Sequence, residues 1–598
     1  MRESPQPDAG NARRNSTDPI SGMTGRKLRP GWSAAICCSI AVVWTLLILG
    51  RQFGRVNYTT QDRGRDLYVA WRVSLGELPY RDFEWPYGPL APIYYGTWFR
   101  FFSPSMLTFE MAETVAILLA GLGVFIACSR FAADRARKPE GYAAGLAGLL
   151  GYLVWLLVVP IHHEAHTGNH HLGALFICVV LWTLSRMTEA EIERRDSVTL
   201  GLALLLLSCV KLNMGLAFAG AATTLLAVRI GSMPPASRRT SLRAMAGGGL
   251  TLIIGLAIFY VPLVIETPTG SLTRCFPFAA GAHHDYGSAW RRVAFDIKEL
   301  SLRLDGVRWL KVAAFVFTQL RALVYAIALV TCALWLAIVL LGRKSAACRA
   351  PAGTNGGGLP PGIAGPAVIL TCLAAAGHEL ILAGSWYSVA YWAAPCVGVL
   401  VSSLAGIALG GASGRKGRLA FAAAALCAGA AMIIAWEAGS IYLGQGEWKL
   451  VDHPRGGVLH LKRAAETDDW AGTVAAASRE IASLTEPGEA ILVAPFDPVY
   501  LFMSDREQVC RIVDFSGYQN ISPDEEAAII RAAEDRGLRL IALSNNATGL
   551  GGERFGAPDC PTLAGYIEKN FRPHKSFGPA DKPGKSHSFH GVTLYLRK

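Results

Sequence analysis

The feature that most constrains this chain is its series of apolar runs, each close to 20 residues long. A helix of about 20 apolar residues crosses the roughly 30 Å of hydrocarbon in a bilayer, so the series predicts a polytopic membrane protein of mostly α structure. Together with two short helices in 198–228, the candidate spans give about 11 segments: 33–50, 106–128, 141–160, 172–185, 246–265, 312–341, 363–383, 388–410 and 419–440.

The charged residues agree with this prediction. They make up 17% of the chain, against about 25% in soluble proteins, and the net charge is +12. Arg and Lys are concentrated in alternate links between the spans, which places those links in the cytoplasm. The basic excess therefore needs no nucleic acid. We expect a location in a bacterial inner (plasma) membrane among its lipids, with a disordered cytoplasmic tail over 1–30 and the C-terminus on the external (periplasmic) side.

The segment 198–228 departs from the simple pattern. Basic links flank it, so it must enter and leave on the same face, but two full crossings need about 40 residues. We therefore predict two short helices that meet near "VKLNMG" (210–215). Lys211 lies there among apolar residues, and a lysine at such depth normally faces a partner or a cavity. A lysine that extends to the membrane surface is the alternative.

From residue 446 onward the chain predicts a small external (periplasmic) α/β domain, after a membrane domain over 31–445 that carries an external loop over 51–105. Strands are expected at 489–495, 539–545 and the C-terminus, with helices at 523–537 and in "TLAGYIEKNF". Its "GLGGERFG" does not have dinucleotide-binding spacing. Cys510 and Cys560 could pair. We expect this domain to tune acceptor recognition or stability rather than to catalyse.

The external loop opens with "DRGRDLYVAWRVSLGELPYRDFEWPYGPL" (62–90), which predicts an amphipathic helix at the membrane surface followed by a turn. A carboxylate here could orient an acceptor hydroxyl or amine and take its proton. Cations could hold the phosphate of a lipid leaving group, and the candidates are Arg65, Arg81 and Lys211. The alternative is structural: Asp62 caps the helix, and Trp71, Trp85 and Tyr87 form an interfacial aromatic belt.

This stretch resembles the first external loop of the GT-C glycosyltransferases, in the branch of the lipid A aminoarabinose transferases and protein O-mannosyltransferases. The similar elements are Asp62, Arg65, "GELPYRD" and "GPL" (88–90). Arg63 stands where many members have an acid, and Tyr87 and Gly88 stand where many have a lysine before Pro-Pro-Leu. Lys211 to Gly215 resembles a Lys-Gly-type turn of the family.

The resemblance implies transfer of a sugar from a polyprenyl-phosphate donor to a lipid, glycan or protein acceptor, with inversion by direct displacement. Asp62 matches the catalytic Asp, and Glu164 is a candidate second acid. The expected substrate-binding residues are Arg65, Asp66, Arg81, Tyr87, Lys211, His166 and His378.

A cofactor is not required by these motifs, although a divalent metal is an open alternative. "HHEAHTGNHH" (162–171) is dense in His and Glu, and His162, His166 and Glu164 are weak metal-ligand candidates. A polar loop that lines the cavity explains them as well. Two other functions also stay open: a secondary transporter, which usually shows internal repeats, and a lipid-linked oligosaccharide ligase or polymerase.

Overall fold

The computed structural model describes most of the chain. The described residues are 32–56, 62–135, 141–158, 169–268, 271–276, six positions between 328 and 337, 361–383, 386–410, 414–443, 446–463, 469–515, 521–545, 555–556, 560–580 and 590–598. The predicted tail over 1–30 and most of the predicted span over 312–341 lie outside these ranges.

A helical bundle forms the larger part. Its long helices are α1 (Trp32–Gln52), α4 (Met106–Arg135), α5 (Gly141–Val158), α6 (Asn169–Glu189), α7 (Arg194–Val210), α8 (Leu212–Gly231), α9 (Pro235–Glu266), α11 (Pro361–Ala383), α12 (Trp386–Gly410) and α13 (Gly414–Leu443). Six described helices are long and apolar enough to cross a membrane. The chain is thus an integral membrane protein, as predicted.

The centre of the bundle is built on small residues. Gly151 of α5 lies so close to α12 that a Cβ on it would stand 2.3 Å from the carbonyl oxygen of Gly398. Such close backbone contact replaces the hydrophobic driving force, which is weak between helices in lipid, with van der Waals packing. Gly151 and Gly398 therefore bring two spans together at a point where no larger side chain fits.

The helix pair predicted in 198–228 is present, but it is longer than expected. α7 and α8 together run from Arg194 to Gly231, and the break falls at Lys211, whose backbone is extended. Arg229 near the end of α8 donates to the carbonyl of Ala190, just before α7, so the two helices fold back on each other. Residues before 198 and after 228 lengthen the pair, and α8 alone, at 20 residues, is long enough to span.

The loop after α1 contains a two-residue strand β1 (Arg55–Val56), α2 (Asp62–Ser74) and α3 (Leu90–Phe101). A short helix, α10 (Leu272–Cys275), follows α9. Ser271, at the N-cap of α10, donates to the carboxylate of Glu84 at 2.5 Å. The two regions that follow α1 and α9 therefore meet at one end of the bundle.

The C-terminal part is a small α/β domain, as predicted. Its helices are α14 (Trp470–Leu484), α15 (Val499–Ser504), α16 (Pro523–Asp535) and α17 (Pro561–Asn570). Its strands are β2 (Gly446–Leu450), β3 (Leu459–Arg463), β4 (Ala490–Ala494), β5 (Glu507–Gln508), β6 (Leu540–Ser544), β7 (Phe571–Phe577) and β8 (Val592–Arg597). Ser522 and Glu525 form a capping box that starts α16.

The five-stranded sheet has the order β5-β4-β6-β8-β7. β4 is parallel to both β5 and β6, whereas β8 is antiparallel to β6 and β7. A second sheet, β1-β3-β2, includes the strand that follows α1, so the C-terminal domain pairs directly with the loop of the membrane domain. No disulfide joins Cys510 and Cys560, both of which the structure describes.

The polar face of α2 is not exposed, contrary to what an amphipathic helix at the membrane surface implies. Every residue from Arg63 to Arg72 is buried, because the C-terminal domain covers the polar side of the helix. The Tyr68 hydroxyl accepts from the backbone N–H of Gln508 at 3.0 Å, and Arg72 pairs with Glu507 at 3.1 Å. The polar face that suggested water or headgroups is instead paired with protein.

The aromatic belt is likewise wrong for Trp71 and Trp85. Both rings are buried inside the protein, where Trp71 packs on Phe502 of the C-terminal domain and Trp85 packs on Tyr87. A buried ring cannot occupy the headgroup region. These tryptophans thus hold the loop to its neighbours.

Candidate active site

Asp62 is the first residue of α2, and its side chain keeps 23% of its surface exposed. One turn later, Arg65 Nη2 lies 2.9 Å from Asp62 Oδ1. The Arg65 side chain is only 7% exposed. The pair therefore combines a carboxylate that a substrate can reach with a cation that is fixed inside the protein.

The Arg65 guanidinium meets a different acid on each side. Its Nε is 3.4 Å from Asp66 Oδ1, and its Nη1 is 3.9 Å from Asp514 Oδ2 in the C-terminal domain. Burial by itself disfavours the cation, but the surrounding acids, Asp62 first, raise the pKa of Arg65 above its ordinary value. Arg65 is thus a permanent cation beside Asp62.

Aromatic rings surround the same guanidinium. Its Cζ lies 5.4 Å from the ring centroid of Trp85, 5.3 Å from that of Tyr87 and 5.9 Å from that of Phe496. Arginine suits such a place because its planar cation is weakly hydrated and stacks on rings. The rings limit the directions in which Arg65 can turn, so the pairing with Asp62 is geometrically defined.

Tyr87 also connects this pair to Lys211. The Lys211 Nζ is 5.7 Å from the Tyr87 ring centroid and 5.8 Å from that of Trp392. Lys211 stands at the break between α7 and α8, where an extended residue interrupts both helices. Interrupted helices at membrane depth are found where they are buried in protein or line a cavity. The sequence-predicted Asp62, Arg65, Tyr87 and Lys211 are therefore neighbours.

Gly88 sets the position of Tyr87 against the helix break. Its N–H donates to the carbonyl of Val210 at 3.0 Å, and its own carbonyl accepts from the Trp85 indole at 3.0 Å. A Cβ at Gly88 would stand 2.1 Å from the carbonyl oxygen of Cys209. The loop can approach α7 this closely only because residue 88 has no side chain.

Tyr80 orders the rest of this loop. It is buried, has a positive φ of 71° and donates its hydroxyl to the carbonyl of Tyr87. Its ring stacks on Phe276 at 5.0 Å, and its carbonyl accepts from Arg511. A left-handed, non-glycine residue costs about 1–3 kcal/mol and persists where its surroundings fix it. Tyr80 thus connects Tyr87 to α10 and to the C-terminal domain.

Arg63, where the sequence departs from the resembling family, lies on the opposite side of α2 from Arg65. It pairs with Glu110 and, at 2.8 Å, with Glu113, both in the first turns of α4. Its Cζ lies 5.4 Å from the ring centroid of Phe109. Residues 63 and 65 are about 200° apart around a helix, so Arg63 faces the bundle while Arg65 faces the C-terminal domain.

Two other predicted substrate-binding residues, Arg81 and His378, make different contacts. Arg81 is 41% exposed and pairs with Asp82 at 2.7 Å and with Glu266 at 3.8 Å. His378 lies in α11, where its Nδ1 is 3.0 Å from the carbonyl oxygen of Ala375. That contact is typical of a histidine within a helix, and substrate binding by Arg81 and His378 stays a prediction.

The histidine-rich loop mostly lies outside the described residues, which exclude His162, Glu164 and His166. Its last residues, His170 and His171, belong to the first turn of α6. The His170 ring lies 4.5 Å from that of Tyr391 and 5.2 Å from that of Trp392. Within the part of the chain that the structure describes, no group of three His, Cys, Asp or Glu side chains could hold a metal ion.

The sequence did not identify four neighbours of the site: Trp392, Tyr391, Phe496 and Asp514. Phe496 and Asp514 follow β4 and β5, so their position next to Arg65 depends on how the C-terminal domain docks. A partial signal existed, because ligand-facing groups of parallel sheets collect at the carboxyl ends of the strands.

Similarity to known structures identifies the fold. ArnT from Cupriavidus metallidurans, in a crystal structure bound to undecaprenyl phosphate, aligns with 94% of this chain and 98% of its own at 12% identity and a TM-score of 0.51. The chain has a GT-C fold. The resemblance inferred from the loop motif is confirmed at the level of the fold.

A second structure with a GT-C fold also aligns. The archaeal oligosaccharyltransferase AglB from Archaeoglobus fulgidus, in complex with an inhibitory peptide and a dolichol-phosphate, matches at 13% identity and a TM-score of 0.46, over 93% of this chain and 74% of its own. No family model matches the sequence, and no curated protein matches it.

Proposed function

We propose that this protein is a membrane glycosyltransferase that moves a sugar from a polyprenyl-phosphate donor to an acceptor. The observation that carries the proposal is the partly exposed Asp62 carboxylate, held by the buried Arg65 cation within a GT-C fold. Further support comes from ArnT, which binds undecaprenyl phosphate on the same fold.

In the proposed reaction, an acceptor hydroxyl or amine attacks the anomeric carbon of the donor. The new glycosidic bond forms as the bond between that carbon and the phosphate oxygen breaks, which inverts the anomeric centre. Asp62 takes the acceptor proton, and the polyprenyl phosphate leaves with the electron pair of the broken bond. Arg65 Nη2, 2.9 Å from Asp62 Oδ1, holds the carboxylate in a defined position for this proton transfer.

Lys211 is the proposed partner of the donor phosphate. Arg65 already has acids within 4 Å of its Nε, Nη1 and Nη2, so a phosphate would have to compete with them. Lys211 Nζ lies 5.7 Å from the centroid of the same Tyr87 ring, at the helix break. We therefore assign Arg65 to orienting Asp62, and Lys211 to stabilising the charge that develops on the leaving phosphate.

A donor-turnover assay with Asp62→Asn tests the function. The purified protein, in lipid nanodiscs with undecaprenyl-phosphate-linked sugars and an envelope-lipid extract as acceptor, should release undecaprenyl phosphate, measured by mass spectrometry. Asp62→Asn keeps the side-chain shape but cannot accept a proton, so we expect turnover to fall on the order of a hundredfold with an unchanged melting temperature.

Full turnover by Asp62→Asn would end the catalytic assignment. Donor binding without any turnover in the wild-type protein would instead favour a transporter. The orientation of the chain, with the C-terminal domain outside a bacterial inner membrane, is a separate proposal that rests on the basic links. A reporter fused after residue 598 that signals from the cytoplasm would contradict it.

A further inference from the structure

One of the segments through which the C-terminal domain reaches the proposed site is residues 508–515, which begins at the last residue of β5. Its first residue, Gln508, donates its N–H to Tyr68 of α2. In the middle of the segment, the carbonyl of Arg511 accepts from the N–H of Glu84 at 2.9 Å. The segment therefore contacts both α2 and the loop that carries Tyr87, on either side of Arg65.

The 508–515 segment is anchored to the rest of the C-terminal domain by hydrogen bonds. The Gln508 side chain bonds the backbone of Val493 through both its oxygen and its nitrogen, at 3.0 and 2.9 Å. Phe515 is fully buried, and its N–H donates to the carbonyl of Pro495 at 2.8 Å. Asp514 thus lies next to an anchored residue and cannot move far without disturbing the sheet.

Asp514 contacts the side of Arg65 that the acids of α2 leave open. Arg65 Nη2 faces Asp62 and Nε faces Asp66, whereas Nη1 faces Asp514 at 3.9 Å. Phe496, which follows the neighbouring parallel strand β4, covers the same guanidinium. Two loops at the carboxyl ends of β4 and β5 thus complete the surroundings of a residue in the membrane domain.

We propose that Asp514 is a positioning residue of the reaction, through which the C-terminal domain fixes the orientation of Arg65 and so of the Asp62 carboxylate. The inference rests on the proposed function. It goes beyond the expectation that this domain tunes acceptor recognition or stability. The physical reason is that a guanidinium held on three sides cannot rotate away from Asp62, and catalysis depends steeply on such placement.

Asp514→Asn tests the proposal, with Glu507→Gln as its matched control. Both changes remove one carboxylate of the C-terminal domain that pairs with an arginine of α2, since Glu507 pairs with Arg72 at 3.1 Å. We expect Asp514→Asn to lower kcat about tenfold, while the KM for the undecaprenyl-phosphate-linked sugar stays within about twofold. Glu507→Gln should keep kcat within about twofold, because it loosens the docking without reaching Arg65.

Asp514→Glu and Asp62→Asn complete the experiment in the same assay. Asp514→Glu keeps the charge and should recover most of kcat. Equal losses in Asp514→Asn and Glu507→Gln would overturn the inference, since both would then act by docking alone. Wild-type kcat in Asp514→Asn beside an inactive Asp62→Asn would also overturn it. Full turnover in Asp62→Asn would overturn the proposed function and the inference together.

Discussion

Two arginines of α2, only two residues apart, have opposite surroundings. Arg63 and Arg65 are both buried and each meets more than one acid. The acids of Arg63 belong to α4 inside the bundle. Those of Arg65 include the partly exposed Asp62 and a residue of another domain. Burial and charge pairing therefore do not distinguish a structural arginine from one at a reactive site, but the exposure and origin of its partners do.

The comparison of the two arginines also bears on the position after Asp62, where this chain differs from the resembling family. Arg63, which stands where many members of that family have an acid, pairs with two glutamates of α4. A buried cation needs such partners, because an unpaired charge away from water is costly. The pairing of Arg63 thus lies on the bundle side of α2, away from the side that carries Asp62 and Arg65.

The sharpest test of the difference is Arg63→Met. The change leaves Glu110 and Glu113 without their cation, so we expect the free energy of unfolding to fall by about 3–5 kcal/mol. The kcat of the protein that remains folded should be unchanged. Denaturant titration in detergent, combined with the turnover assay, measures both quantities. Adding Glu110→Gln and Glu113→Gln should restore much of the stability; a kcat loss as large as that of Asp62→Asn would place Arg63 in the reactive site.

Lys211→Ala extends the comparison of the two arginines to a third cation, which we assign to the donor phosphate. Loss of a charge-assisted bond to the phosphate should weaken undecaprenyl phosphate binding by about 1.5–3 kcal/mol. Native mass spectrometry or a thermal-shift titration measures the affinity. Lys211→Arg should retain part of it, and Lys449→Ala, whose lysine pairs with Asp469 in the C-terminal domain, serves as the control. Unchanged affinity in Lys211→Ala would leave Lys211 as a lysine that only extends to the membrane surface.

The smallest effect is expected for Tyr68→Phe, at the middle of α2. It removes the acceptor of the Gln508 N–H, so the C-terminal domain should dock less tightly by about 1 kcal/mol. Hydrogen exchange at the Gln508 amide and the melting temperature report the change. The kcat should fall less than in Asp514→Asn. A larger loss would mean that docking, rather than the Arg65 contact, controls the reaction.

The sequence predicted the candidate residues better than their roles. Asp62, Arg65, Tyr87 and Lys211 were each identified and are neighbours in the structure. The position of Lys211 near a helix end left open a lysine that extends to the membrane surface, and only the contacts with Tyr87 and Trp392 place it beside the other residues. For Arg65 the sequence left two roles open, pairing with Asp62 or binding the phosphate, and its three acidic neighbours favour the first.

What the amino-acid sequence determined is the membrane bundle, the break at Lys211 and the α/β character of the C-terminal domain. These follow from hydrophobic length and local periodicity, which act over a few tens of residues. Only the tertiary structure decided that α2 is buried on both sides and that Asp514 reaches Arg65. Those contacts join residues about 450 positions apart and depend on how the folded domain docks. Local patterns contain no information about such docking, because a polar helix face looks the same whether water or another domain covers it.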